Sequence, residues 1–285
     1  MKDLWIDTDI GDDIDDVVAL LVAVRHPELR LVGVSTVFGL VERRTWLARE
    51  LLRRAGWEGP VLSGAVLPLK GRTPNAELGS YLTVASDDLP VARPEEDAAR
   101  LAAIAEAMLS LPEPFHFVTI GAMTNAAKLV QQHPEVRERW QSVACMAGEL
   151  EGRAEWNVSC DVAGAKVVLR ELHPRWVGLE ACSDTLPRAE VEALLDPADP
   201  ASAFLLECYR GYRGDREEAP LTLFDPISVV SLVQPEAFDL QQVRVLVEGE
   251  GRLRLTDDGY EVEYATASEW EALRPTVRRL LGGGW

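Results

Sequence analysis

The stretch Leu4-Trp5-Ile6-Asp7-Thr8-Asp9-Ile10-Gly11-Asp12-Asp13-Ile14-Asp15-Asp16-Val17 runs from an apolar strand through a carboxylate-rich loop into an apolar helix. Asp7, Asp9, Asp12, Asp13, Asp15 and Asp16 all fall within residues 7–16. Like charges this close repel, so either some stay protonated or a cation sits among them. A crowd of hard oxygen donors suits Ca²⁺ or Mg²⁺ better than zinc. A capping role for Asp15 or Asp16 at the helix start accounts for one or two of the six, not for all. An EF-hand does not fit. Counted from Asp7, its loop would need an Asp, a Gly and a Glu at positions five, six and twelve, where this chain has Gly11, Asp12 and Val18.

Outward from this segment, Val- and Ile-rich runs alternate with helical patterns. The spacing predicts strands at Leu4–Ile6, Leu31–Phe38, Pro60–Leu62, Phe115–Ile120, Ser142–Met146 and Trp176–Leu179. Helices are predicted at Asp15–Arg25, Glu42–Ala55, Pro94–Leu111, Thr124–Gln132 and Asp161–Leu172. The tail changes to two-residue alternation at Val243–Glu248, Arg252–Leu255 and Glu261–Tyr264, followed by a helix at Ser268–Leu281. These signs define an α/β protein with a Rossmann-like, open, mainly parallel sheet, flanking helices and a small antiparallel C-terminal addition. No linker divides the chain, so residues 1–285 are read as a single domain. In open α/β sheets, ligands bind beyond the carboxyl ends of the strands. Four polar clusters fall at such ends and are expected to share one rim: Asp7–Asp16, Gly39–Glu42, Gly121–Asn125 and Glu149–Asp161.

A net charge of −18 repels nucleic acid and anionic membranes and favours cations or neutral small molecules. Met1 leads straight into a strand-like segment, so no secretory signal is expected. The longest apolar run, Val17–Val24, is too short to cross a bilayer. Cys145, Cys160, Cys182 and Cys208 have no CxxC spacing and read as reduced, mostly buried thiols, consistent with a cytoplasmic location.

The opening Asp-x-Asp-x-Gly and the later Asp15-Asp16 pair resemble the N-terminal signature of the inosine–uridine-type nucleoside hydrolases. In this chain Ile10 stands where that signature has Pro, and two extra residues precede the pair. Ile120-Gly121-Ala122-Met123-Thr124-Asn125-Ala126 is similar to the family's Gly-x-Leu-Thr-Asn segment. Glu155-Trp156-Asn157 with Asp161 resembles its Glu-Phe-Asn…Asp stretch, and Phe224-Asp225-Pro226 its late His-Asp-Pro. The resemblance extends in outline over nearly the whole chain. It implies Ca²⁺ ligation by Asp9, Asp16, Asp225 and the main-chain carbonyl of Ile120. It also implies ribose binding by Asp15 from one side and by Glu155 and Asn157 from the other, with Asp7 supporting from behind. Asp12 and Asp13 have no counterpart and read as a polar loop at the site mouth. Asp225 alone would pass for a helix-starting Asp-Pro, and Thr124-Asn125 for a helix cap. A homodimer or homotetramer is a further implication.

The implied reaction is hydrolysis of the N-glycosidic bond of a ribonucleoside or related N-riboside, releasing ribose and free base. Asp9 would act as general base on a water, and the surrounding carboxylates would stabilise a cationic sugar. This matches the nucleophilic half of an inverting glycosidase. The leaving-group half departs from the family. Phe224 and Lys70 stand where family histidines occur, and Gly39-Leu40 replaces a Gly-Asn. His26, His133 and His173 precede prolines at predicted helix ends and His116 lies in a strand, so all four read as structural. Tyr209-Arg210-Gly211-Tyr212-Arg213 could either stack on a base or pack a helix. Two alternatives stay open: a nucleoside- or ribose-binding protein that kept the metal site without catalysis, and a Mg²⁺ phosphohydrolase of the haloacid-dehalogenase type.

Overall fold

The computed structural model describes residues 1–74, 80–182, 184–216 and 219–282. The first half alternates β1 (Lys2–Thr8), α1 (Asp15–Arg25), β2 (Leu29–Thr36), α2 (Val41–Arg54) and β3 (Val61–Ser63). It continues with α3 (Asp97–Ser110), β4 (Phe115–Thr119), α4 (Thr124–Gln132), β5 (Trp140–Met146), α5 (Trp156–Cys160), α6 (Val162–Leu172) and β6 (Arg175–Val177). The second half carries α7 (Leu179–Cys182), β7 (Thr185–Leu186), α8 (Arg188–Leu194), α9 (Pro200–Arg213), β8 (Leu221–Thr222) and α10 (Phe224–Val230). It ends with β9 (Phe238–Glu248), β10 (Arg252–Leu255), β11 (Tyr260–Ser268) and α11 (Trp270–Leu281).

Among the described residues, nine strands form one sheet in the order β10-β9-β11-β6-β5-β4-β1-β2-β3. The C-terminal addition joins this sheet rather than standing apart: β11 runs parallel to β6, and β9 is antiparallel to both β11 and β10. A separate pair, β7 and β8, is antiparallel. The order steps from β1 to β2 and β3 on one side and to β4 and β5 on the other. A crevice therefore opens at the carboxyl ends of β1 and β4, as expected at a reversal of strand order.

Predicted strand and helix centres hold, with a few edges displaced. The segment from Pro94 begins as a 3₁₀ turn, Pro94–Glu96, because proline supplies a fixed φ but no N–H. Leu179 starts a helix instead of ending a strand, and Asp161 caps α6 from outside, its side chain accepting from Gly164 N. Thr124 and Asn125 do not cap α4: its start has no side-chain cap, and both side chains bond elsewhere. Helix α1 is buried at every residue except Val24, which suits a helix covered on all sides. Each of its buried Val and Leu side chains contributes roughly 1.5–3 kcal/mol. Arg25 closes its far end by donating to the carbonyls of Leu280 and Leu281 at 3.0 and 3.1 Å. The carboxylates at the near end of α1 thus stand on a helix locked into the core.

His26, His133 and His173 stand at the C-termini of α1, α4 and α6, as their His-Pro contexts imply. His116 pairs with Ser142 Oγ at 2.7 Å inside the sheet. All four cysteines are free and buried. Burial pushes each thiol up, away from the reactive thiolate. Among the described residues, no helix is long and apolar enough to cross a membrane.

Candidate active site

β1 delivers its last residues into the crevice at the strand reversal. Asp7 lies beside Ser35 of β2 and Thr119 of β4 in the sheet register. One of its oxygens accepts from Ser35 Oγ at 2.5 Å and Asn125 Nδ2 at 2.7 Å, while Oδ2 has no partner among the described residues. Burial, opposed by those two donors, raises its pKa to about 7. Asp7 is fully buried and is not in the lining of the cavity beyond it. Asn125 is committed to it, donating also to Thr36 O at 3.0 Å and accepting from Ala65 N at 2.8 Å. Thr124 turns to Asp161 at 2.7 Å.

Beyond Asp7 the chain enters a cavity of about 490 Å³. The seven residues that the resemblance assigns to the ion or the ribose line it: Asp9, Asp15, Asp16, Ile120, Glu155, Asn157 and Asp225. All seven are buried. Three carboxylates, Asp15, Asp16 and Asp225, place oxygens within 4.8 Å of one another. Asp9 lines the same cavity but stands outside that tight trio, which instead includes Asp15. Gly121 explains how Asp9 fits: a Cβ there would lie 2.8 Å from both the Asp9 backbone nitrogen and its Oδ1. Thr8 Oγ1 donates to Asp16, and the Asp225 backbone N–H reaches Asp15 Oδ2 at 3.4 Å.

The electrostatics follow from this crowding. Burial first, and then the neighbouring aspartates, push Asp15, Asp16 and Asp225 well above the usual carboxylate range. Asp9 is raised to about 7 by burial, against the pull of Arg44. A buried anionic trio of this kind has the donor set of a hard-cation site, and a divalent ion would relieve the repulsion.

The far wall is built at α5. Glu155 caps that helix, accepting from Asn157 N at 2.8 Å and from Val158 N and Gly148 N at 3.1 Å. Asn157 Nδ2 donates to Ile120 O and Met146 O, both at 3.1 Å, tying the wall to β4 and β5. Arg72, Arg153, Trp156, Leu179, Tyr212 and Phe224 also stand in the lining. Among the described residues, no histidine lines the cavity. Lys70 lines a neighbouring one. Of the Tyr209–Arg213 stretch, Tyr212 reaches the cavity, while Tyr209 is buried and donates to Ala219 O at 2.5 Å.

Of the four polar clusters expected on the rim, neither Gly39–Glu42 nor Gly121–Asn125 is in the lining, although Ile120 just before the latter is. Leu40 packs against the apolar core, and Glu42 accepts from Ser63 Oγ at 3.0 Å. Two residues that hold the aspartate loop are not apparent from its own sequence. Arg44 is buried, donates to Phe38 O at 2.8 Å and to Ile10 O at 3.0 Å, and pairs with Asp12 at 2.7 Å. It also donates to Asp9 O. Tyr81 accepts from Gly11 N at 2.9 Å and donates to Asp13 O at 2.6 Å. Asp12 and Asp13 do line the cavity, but as parts of these braces: Asp13 also accepts from Thr222 Oγ1 at 2.9 Å. Arg44 had a readable signal, since it shares a helical stripe with Leu47, Ala48 and Leu51.

Solved structures share this architecture almost end to end. The purine-preferring ribonucleoside hydrolase from Gardnerella vaginalis superposes with a TM-score of 0.79 at 20% identity, covering 99% of this chain and 98% of that one. The inosine-uridine preferring nucleoside hydrolase from Bacillus anthracis gives 0.78 at 18% identity, covering 99% of each chain. The fold is therefore that of the nucleoside hydrolases, with a carboxylate-floored cavity at its strand reversal. In sequence, the non-specific ribonucleoside hydrolase RihC of Escherichia coli (strain SMS-3-5 / SECEC) is 31% identical over 264 residues, 87% of this chain and 84% of that protein. RihC of Shigella boydii serotype 18 is 30% identical over the same length and shares. Residues 4–272 match the family model described as inosine-uridine preferring nucleoside hydrolase. The chain belongs to that family and is an N-ribosyl hydrolase.

Proposed function

We propose that this protein hydrolyses the N-glycosidic bond of a ribonucleoside or related N-riboside in a calcium-dependent reaction, releasing ribose and free base. The observation that carries this reading is the convergence of Asp9, Asp15, Asp16, Ile120, Glu155, Asn157 and Asp225 on one buried cavity. Asp9, Asp16, Asp225 and the Ile120 carbonyl would hold the ion, in keeping with the about six to eight oxygens that Ca²⁺ takes. When bound, calcium would supply Lewis acidity and a fixed point for the attacking water and the sugar hydroxyls. Asp15 would accept a hydrogen bond from a ribose hydroxyl, with Glu155 and Asn157 fixing the opposite side of the ring. Asp9 would take the proton of the attacking water on a carboxylate oxygen. The remaining carboxylates favour the cationic sugar of the transition state over the neutral ground state.

The base would leave toward Arg72, Trp156, Tyr212 and Phe224, which offer stacking surfaces and N–H and O–H donors but no imidazole. The absence of a lining histidine among the described residues favours bases that depart readily without a strong acid. RihC is named as non-specific, and a lining of stacking and donor groups is compatible with breadth of that kind. The family resemblance further implies a homodimer or homotetramer, which light scattering on the eluted protein would read.

The test is a nucleoside panel assayed for free ribose with calcium, after chelation, and after calcium is restored. Release should vanish on chelation and return with the ion. Undiminished turnover after exhaustive chelation would remove calcium from the proposal. Asp9→Ala should abolish turnover while the protein still melts cooperatively; an active Asp9→Ala enzyme would remove Asp9 as the base.

A further inference from the structure

The chain has only four lysines, Lys2, Lys70, Lys128 and Lys166, against an excess of acidic groups. Two are engaged: Lys2 donates to Leu232 O, and Lys128 pairs with Asp97 at 3.1 Å. Lys70 and Lys166 have no carboxylate or carbonyl partner among the described residues. Both line a second cavity of about 460 Å³, and Arg72 lines it with them. Arg72 likewise has no carboxylate partner among the described residues. Its guanidinium lies over the Trp156 ring, 4.9 Å from the centroid, and it lines the catalytic cavity too. In a protein of net charge −18, three cations without an ion-pair partner among the described residues thus line one hollow. Among the described residues, the one carboxylate in that lining is Glu250.

The loop that presents Lys70 and Arg72 is held along its backbone. Leu69 N and Lys70 N donate to the Asp161 carboxylate at 2.8 and 3.1 Å. Ala163 N donates to Lys70 O at 3.1 Å, and Arg72 N to Ser159 O at 3.2 Å. Gly71 is required by the same closeness, because a Cβ there would fall 2.2 Å from the Cys160 carbonyl oxygen. Lys166 projects from α6, whose start this loop grips. The three cations are thus mounted on a fixed frame directly behind α5, the helix carrying Asn157.

We propose that Lys70, Arg72 and Lys166 form an anion subsite continuous with the catalytic cavity through Arg72, and that it takes a phosphate group. Two flexible ammonium groups and one planar guanidinium make a suitable set of donors for a tetrahedral dianion. The phosphate could be carried by the riboside, as in a nucleoside 5′-monophosphate, or be free inorganic phosphate. This inference rests on the catalytic reading for the first source and is independent of it for the second.

The experiment compares the wild type with the Lys70→Gln/Lys166→Gln double variant and with Lys70→Arg/Lys166→Arg, which keeps the charge. Uridine, uridine 5′-monophosphate and inorganic phosphate are the probes. We expect kcat/KM for the monophosphate to fall about tenfold in the Gln variant, from the loss of two charge-assisted contacts, while that for uridine holds. The Arg variant should keep the wild-type ratio, and added salt should erode it, because these groups are exposed. If monophosphate gains nothing over uridine but inorganic phosphate raises the melting temperature of wild type and not of the Gln variant, the subsite serves the free anion. If neither probe distinguishes wild type from the Gln variant, the subsite is refuted. A wild type that hydrolyses no riboside would sink the catalytic reading alone, because the phosphate-induced melting shift does not need turnover.

Discussion

Asp9, Asp15, Asp16, Glu155, Asn157 and Asp225 floor the cavity and are buried, whereas Arg72, Arg153 and Trp156 on its rim are exposed. The floor residues come from the end of β1 and from the starts of α1, α5 and α10. Their partners are mostly backbone groups or other buried side chains. The rim side chains rest on exposed neighbours: Arg72 lies on Trp156, and Arg216, from outside the lining, lies over Tyr212 at 4.6 Å. One region is therefore held by the core and the other by surface contacts worth little each. Strain and adaptability therefore sit in different places. The floor concentrates repulsion that only a rigid frame can hold, while the rim can change its side chains without disturbing that frame.

The largest expected effect comes from breaking the floor's charge. Asp16→Asn keeps an acceptor for Thr8 but removes one anion from the trio. We expect kcat/KM for ribosides to fall by roughly 10³-fold, the scale of losing one electrostatic stabiliser of a transition state. The same change relieves repulsion, so the metal-free protein should melt about 2 °C higher than wild type. An Asp16→Asn protein that turns over normally, or that melts lower when metal-free, would mean the trio is not a strained anionic site. Calorimetry after chelation reads the second outcome without any assay of activity.

A smaller effect, on stability, comes from the brace under the floor. Asn125→Leu strips Asp7 of one of its two donors, leaving a carboxylate whose other oxygen already lacks a partner. It also orphans Ala65 N. Leaving buried polar groups unpaired should cost about 3 kcal/mol, seen as a lower urea midpoint with the slope unchanged. A loss under about 1 kcal/mol would show that solvent or a shifted loop satisfies these groups, and that the floor is less rigid than its hydrogen bonds indicate.

The contrast between floor and rim also explains what could be read from sequence. Six carboxylates after a strand have few stable uses, and each side chain lies within a few residues of the strand end that positions it. The same locality made the β–α alternation legible, since each unit carries its own hydrophobic period. Residues whose role depends on packing from elsewhere were opaque. Asn125 reads as a helix cap, yet it turns inward because Asp7, Thr36 and Ala65 converge on it from three strand ends. Arg43 and Arg44 look alike, but only Arg44 falls on the buried stripe of α2. The rim is assembled from a loop after β3, the α5 start and the C-terminal turn of α9, brought together by a topology that no local pattern encodes.

The smallest effect, and the sharpest test of the rim as an independent region, is Trp156→Ala. Trp156 is 50% exposed, and among the described residues its ring contact is the Arg72 guanidinium. Its neighbours Glu155 and Asn157 face inward and keep their hydrogen bonds through backbone groups that the substitution leaves in place. Removing the indole should therefore raise KM for ribosides about tenfold, the scale of one lost aromatic contact, with kcat nearly unchanged. The melting temperature should stay within about 2 °C of wild type, because an exposed side chain contributes little to the core. If kcat falls as far as KM rises, the indole acts in the transition state and the rim takes part in chemistry. If the protein instead melts far lower, the α5 start depends on Trp156, and floor and rim are one cooperative structure rather than two.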